Sequence, residues 1–160
     1  MKLLYPLIIL FSFSFALETV AIIDFEAIGV SNDEARALTQ RLTTEMIKIG
    51  KYTIVERSEM KRLLDEQKFQ YSGCVDVSCA VEIGKMLGAK SMIVGSVSKL
   101  GNVFSIDSRL IDVKTSESYV SSSYSQKGEI GELFKGILQI AYELSEEKIP
   151  SRLVNIDNNK

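Results

Sequence analysis

The residues best equipped for chemistry are Cys74 and Cys79, which lie in YSGCVDVSCAVEIGKMLGA (residues 71–89) with Asp76 between them. They are the only thiols of the chain, and there is no histidine. A structural zinc site takes four ligands, mostly Cys and His, so two thiolates and one acid would leave it incomplete. Thiol-redox centres use Cys-x-x-Cys at a helix start, whereas here four residues separate the pair. Two buried free thiols or a disulfide remain, and the disulfide is the expectation. Cys74 would lie in a loop and Cys79 in the first turn of the following helix, a curl that can bring α-carbons within about 6 Å. The closed loop is short, so the bridge would add only about 1–3 kcal/mol. Its expected role is to fix how residues 70–73 enter the helix.

Without histidine there is no ordinary base near neutral pH, and neither a Ser–His–Asp nor a Cys–His arrangement can form. Asp24 and Glu26 fall at the carboxyl end of the first strand, where α/β enzymes often bind ligands. Strand alternation puts both on one face, which permits a metal or acid–base pair; solvated or capping acids are the plainer reading. The following loop lacks Gly-x-Gly-x-x-Gly, and GSVSKLG (residues 95–101) reads as strand and turn, not as a phosphate loop. No cofactor, metal or small-molecule substrate is expected. Glu56–Arg57 and Asp65–Glu66 could pair with Arg109 or Lys61, each such exposed pair contributing less than about 1 kcal/mol. The tyrosine- and serine-rich YVSSSYSQ (residues 119–126) reads as a recognition edge or as the outer strand of a sheet with one wet face.

The elements that must position these residues follow from pattern. Residues 18–27, ETVAIIDFEA, read as one strand, with the apolar run of residues 20–23 marking burial on both faces. Ser31 and Glu34 have capping-box spacing. Leu38, Leu42, Met46 and Ile49 then recur on one helix face up to Gly50, a suitable cap. KYTIVERS (residues 51–58) is a short strand. A second helix follows from about Ser58, with Met60, Leu63 and Leu64 inward, and frays near Lys68. A third helix covers about residues 77–87, with Asp76 as N-cap and Gly88 as stop. Three strands come next, joined at Gly101-Asn102 and at KTSES by hairpin turns. A last helix spans about residues 129–145, its face made of Ile130, Leu133, Phe134, Ile137, Ala141 and Leu144. The order β-α-β-α-α-β-β-β-α gives a single α/β (α+β) domain: a mixed sheet of about five strands with about four helices.

The chain has 160 residues, with 46% hydrophobic residues and 19 basic against 21 acidic. That suffices for one domain. The balanced charge argues against nucleic acid, which needs a concentrated basic face. Lys2, the apolar residues 3–15 and Ser14-Phe15-Ala16 read as an export signal cut between Ala16 and Leu17. The apolar run is too short for a membrane span of about 20 residues. Export places the domain (residues 17–148) and a flexible tail (149–160) in an oxidising compartment, and removal of Lys2 leaves 18 basic and 21 acidic residues.

Four stretches together are familiar: VAIIDFEA, YTIVERSEMKRLLDEQKF, GCVDVSCAVEIGKMLGAKSMIVGSVSKLG and RLIDVKTSES. The chain resembles, over roughly residues 20–144, the CsgG/HfaB group of bacterial envelope proteins, which includes the curli secretion channel. The penicillin-binding-protein activator LpoB and the amino-terminal domain of TolB are similar in fold. The resemblance implies a non-enzymatic domain, periplasmic or associated with the outer membrane, that acts through an envelope protein partner or self-association. It makes Asp24, Phe25, Glu56, Arg57, Gly95, Arg109 and Asp112 motif positions with structural or contact roles, Phe25 being expected in the core. The family's channels cross the outer membrane with inserted hairpins and carry a lipid on an amino-terminal cysteine. This chain shows no such cysteine, and its hairpins are needed by its own sheet, so an accessory module is expected over a pore subunit.

Overall fold

Ser31 ends the loop before the first long helix by accepting a hydrogen bond from the Glu34 backbone, while the Glu34 carboxylate accepts one from the Ser31 backbone. This reciprocal cap starts α1 (Asn32–Ile49), and Gly50, in the left-handed region at φ 72°, ends it. Asp76 caps α3 (Val77–Leu87) by accepting from the Cys79 N–H at 2.9 Å, and Gly88 closes it at φ 62°. These limits agree with the sequence reading because each is set by a local side chain.

The computed structural model describes residues 17–67 and 76–154. Its strands are β1 (Glu18–Ile22), β2 (Glu26–Ile28), β3 (Tyr52–Ile54), β4 (Ser91–Leu100), β5 (Val103–Asp112) and β6 (Ser118–Lys127). The other helices are α2 (Arg57–Glu66), α4 (Leu133–Leu144) and a single turn, α5 (Ser151–Val154). The sheet runs β3-β1-β4-β5-β6, with β2 also paired to β4. Pairing is parallel among β3, β1, β2 and β4, and antiparallel from β4 to β6. This is the mixed α/β domain expected.

Helices cover both faces. On one, α1 and α4 bury Leu38, Leu42, Met46, Leu133, Ile137 and Leu144 against Val20, Ile22, Phe25, Ile93, Ile106 and Leu110. On the other, α2 and α3 bury Met60, Leu64, Ala80 and Ile83 against Ala21, Ile23, Met92, Val94 and Ile111. Truncating any of the large fully buried side chains to alanine costs about 2–5 kcal/mol.

Three expectations need correction. The strand expected over residues 18–27 is broken into β1 and β2. Ile22 pairs with Ile93, and Glu26 pairs with Ser96. One extra residue therefore sits on the first strand, as in a bulge. Unbroken alternation from Val20 and Ile22 would send Asp24 into the α1–α4 core; the extra residue puts Phe25 there, 4% exposed. The costly burial of an unpaired carboxylate is avoided. The last helix begins at Leu133 after a 3-10 turn (Ile130–Glu132), and Phe134 is 46% exposed, while Gly136 and Ile140 face inward instead. The expected ion pairs are also redistributed: Arg57 pairs with Asp24, and Glu66 with Arg62. Leu63 is half-buried. Cys74, Ala16 and the fraying end at Lys68 lie outside the described residues, as does most of the expected tail beyond α5.

Candidate functional site

The break between β1 and β2 gathers four of the positions that the family resemblance singles out. The Asp24 carboxylate accepts two hydrogen bonds from the Arg57 guanidinium, a bidentate clamp between the strand break and the first turn of α2. Phe25 donates its N–H to Thr39 Oγ1 at 3.0 Å, and Thr39 in turn donates to the Ala35 carbonyl at 2.9 Å. The Phe25 ring lies over Gly95, where a β-carbon would stand 3.0 Å from the ring and 2.4 Å from the Asp107 carbonyl oxygen. Asp24, Phe25, Arg57 and Gly95 thus form one structural knot. Glu56 is the exposed N-cap residue of α2 and makes no side-chain cap bond.

Asp112 and Arg109 lie elsewhere. Asp112 Oδ1 accepts from the backbone N–H groups of Lys114 and Thr115 at 2.8 and 2.7 Å, organising the β5–β6 turn. The Thr115 bond is the main reason that its pKa is held below the ordinary carboxylate value. Arg109 pairs in register with Val94, on the face packed by α2 and α3.

Beyond those helices the same face is polar. Strand register carries Ser96, Asp107, Ser121 and Ser123 onto it, and Glu26, paired with Ser96, joins them. These residues and Arg109 line a groove of about 750 Å³ that reaches Gln139 and Glu143 on α4. Ser122 donates to Glu143 at 2.6 Å, and Gln139 to the other Glu143 oxygen at 2.8 Å. Asp24 and Glu26 therefore serve different places, one clamped by Arg57 and the other facing the groove. Among the described residues no group of three or more acids or thiols is placed to hold a metal. A surface of hydroxyls and carboxylates is suited to polar recognition. Sequence reading missed this groove, whose lining is brought together by the pairing of β2, β4, β5 and β6 and by α4; the serines of β6 were its visible sign.

A second polar cluster sits at the start of β1. Glu18 binds Lys90 at 2.8 Å and accepts from the Ser91 hydroxyl and, at 3.4 Å, from Tyr119. Burial pushes the Glu18 pKa up, but Lys90, Ser91 and Tyr119 together pull it below its ordinary value. Nearby, burial and the neighbouring Tyr119 and acids push the Tyr52 hydroxyl up to about 12, and it donates to the Leu144 carbonyl at 3.3 Å.

Among the described residues, no helix is long and apolar enough to cross a membrane. The fold is shared with solved structures of low sequence identity. The C-terminal domain of LpoB from Salmonella enterica superposes with a TM-score of 0.58 at 19% identity, covering 72% of this chain and 87% of that one. Lipoprotein GNA1162 from Neisseria meningitidis gives 0.59 at 13% identity, over 89% and 97% of the two chains. A subunit of the PelC dodecamer from Paraburkholderia phytofirmans gives 0.55 at 14% identity, over 83% and 90%. No curated protein matches the chain. The profile described as "Curli production assembly/transport component CsgG" matches residues 13–105, more than half of the sequence, and no enzyme family is indicated. The chain belongs to the CsgG family.

Proposed function

We propose that this chain is exported, cut after Ala16, and works in the cell envelope as a non-enzymatic accessory module that binds a partner protein. The observation that carries this reading is the half-covered sheet. Among the described residues, one face is covered by α1 and α4, while the other carries a polar groove beside β6, the last strand of the sheet. Among the described residues the β4–β5 and β5–β6 hairpins both belong to this sheet, which favours an accessory module over a membrane wall. Family membership supports an envelope role. A disulfide between Cys74 and Cys79 belongs to the same proposal: it fits export and a capped α3 start. Alkylation of the exported protein without reduction should add no label to the intact mass.

A second reading has its own support. The family is described as an assembly and transport component, and the PelC neighbour is a dodecamer. A ring subunit would then replace the accessory module. The two separate by photo-crosslinking in the producing cells, with a photoreactive residue at Ser123 in the groove or at Ala37 on the exposed side of α1. The accessory reading expects an adduct with a different protein from Ser123 and none from Ala37. Ladders of the chain with itself from both positions, sensitive to detergent, would favour the ring. No protein adduct from either position would count against both.

A further inference from the structure

β6 carries one residue more than β5 can match. Leu110 pairs with Val120 and Ile111 with Ser118, so Tyr119 has no partner in the register. An extra residue of this kind bends the strand and re-aims a side chain. Val120 packs on the face covered by α1 and α4, and Ser121 pairs with Arg109 on the opposite face. Strict alternation would put Tyr119 beside Ser121, on the open face. Its hydroxyl instead lies 3.0 Å from Ser91 Oγ and 3.4 Å from Glu18 Oε1. Ser91 stands two residues before Ile93, and Glu18 two before Val20, and both of those belong to the α1–α4 core. The bulge therefore turns Tyr119 onto the covered face, next to Val120.

From there the phenol reaches past β5 to β4 and β1. Ser91 has one hydroxyl proton and donates it to Glu18 Oε1, so Tyr119 is the donor towards Ser91 Oγ. Glu18 Oε2 binds Lys90 at 2.8 Å. β6 is otherwise held by β5 and by α4. The polar chain adds a third attachment, at the end of β6 where the ladder with β5 is interrupted. Two residues further on, Ser121, Ser122 and Ser123 line the groove.

We propose that Tyr119 is a strap: its hydroxyl, through Ser91 and Glu18, ties the bulged end of β6 to β4 and β1, holds the serine wall of the groove in place, and lets go in acid. The inference rests on the reading of the groove as a contact surface, and it names a residue that positions that surface. Lys90, Ser91 and Tyr119 face Glu18, and Tyr52 is close enough to feel its charge. Glu18 holds Lys90 protonated, and burial keeps both tyrosines protonated. Glu18 is the member of this set that titrates in acid. Against the upward push of burial, its partners keep its pKa below the ordinary 4.5. The strap is thus complete above that value and lost as pH falls through the folded pKa. Asp112 also acts on Tyr119 and Lys90, and Glu146 and Glu147 act on Tyr52, so the Glu18 contribution is isolated by substitution.

The test is amide hydrogen exchange, read by NMR on the exported full chain, with Tyr119→Phe, which keeps the ring, and Glu18→Gln. Circular dichroism checks that both variants fold. Near neutral pH, Tyr119→Phe should lower the protection of the β6 amides from Val120 to Tyr124 about 3- to 10-fold relative to those of the β1–β4 pairing. Acidification below about pH 4.5 should loosen the same β6 amides in the unaltered chain, and both variants should lack that step. With a photoreactive residue at Ser123, Tyr119→Phe should lower the partner adduct about 2- to 5-fold. Unchanged β6 protection in Tyr119→Phe would overturn the proposal, as would a loss spread evenly over β1, β4 and β6. An acid step that persists in Glu18→Gln would overturn the release in acid. An adduct that is unchanged by Tyr119→Phe would overturn the link to the groove. Absence of any adduct from Ser123 in the unaltered chain would count against the accessory reading, while the exchange data would still decide the strap.

Discussion

A methyl group on Gly95 would stand 2.4 Å from the carbonyl oxygen of Asp107 and 3.0 Å from the Phe25 ring. The first neighbour is backbone and cannot turn away, so Gly95→Ala should destabilise the domain by about 1–3 kcal/mol, read as a lower urea midpoint. An unchanged midpoint would mean that the knot of Asp24, Phe25, Arg57 and Gly95 is loose. The Glu18 cluster makes a prediction of opposite character, in pH. The folded pKa of Glu18 lies below its ordinary value of 4.5. Its stabilisation is therefore fully present above that value and lost as pH falls through the folded pKa. Urea midpoints of the unaltered chain should drop on acidification below about pH 4.5. Glu18→Gln should lower the midpoint at neutral pH and flatten that acid limb. Equal acid slopes for the two proteins would contradict the role given to Lys90, Ser91 and Tyr119.

At the scale of elements, α4 depends on a glycine. A β-carbon on Gly136 would fall 2.1 Å from the inner atoms of the Tyr124 ring on β6. Alanine improves helix propensity by up to about 1 kcal/mol, but it collides with the near end of a ring that cannot swing clear. Gly136→Ala should be net destabilising, and much less so when Tyr124 is already alanine, a coupling that a double-mutant cycle measures. This contact also explains what was legible in the sequence. The caps at Ser31, Asp76, Gly50 and Gly88 were readable because each acts within one helical turn. The split of the first strand was not, because the extra residue is defined only against β4. Phe134 fits a helical stripe, yet the stripe that packs is turned to admit Gly136, a residue that pattern reading passes over. Of the candidate site, the serines of β6 were visible, whereas the groove is assembled by strand register and by α4, which act between residues far apart in the chain.

For the whole molecule, the central feature is asymmetry of cover. Among the described residues α1 and α4 cover one face of the sheet, and α2 and α3 cover part of the opposite face, beside a groove lined by hydroxyls and carboxylates. Burial of apolar side chains on both sides holds the sheet as a rigid support, and the polar half-face is the surface proposed for recognition. This division suits the proposed protein-contact module. The most direct test is the molar mass of the exported protein by light scattering after gel filtration, with and without mild detergent. The account predicts a small species, monomer or dimer, whose mass is unchanged by detergent. A large closed oligomer that forms only in detergent would contradict it and make the chain a channel subunit.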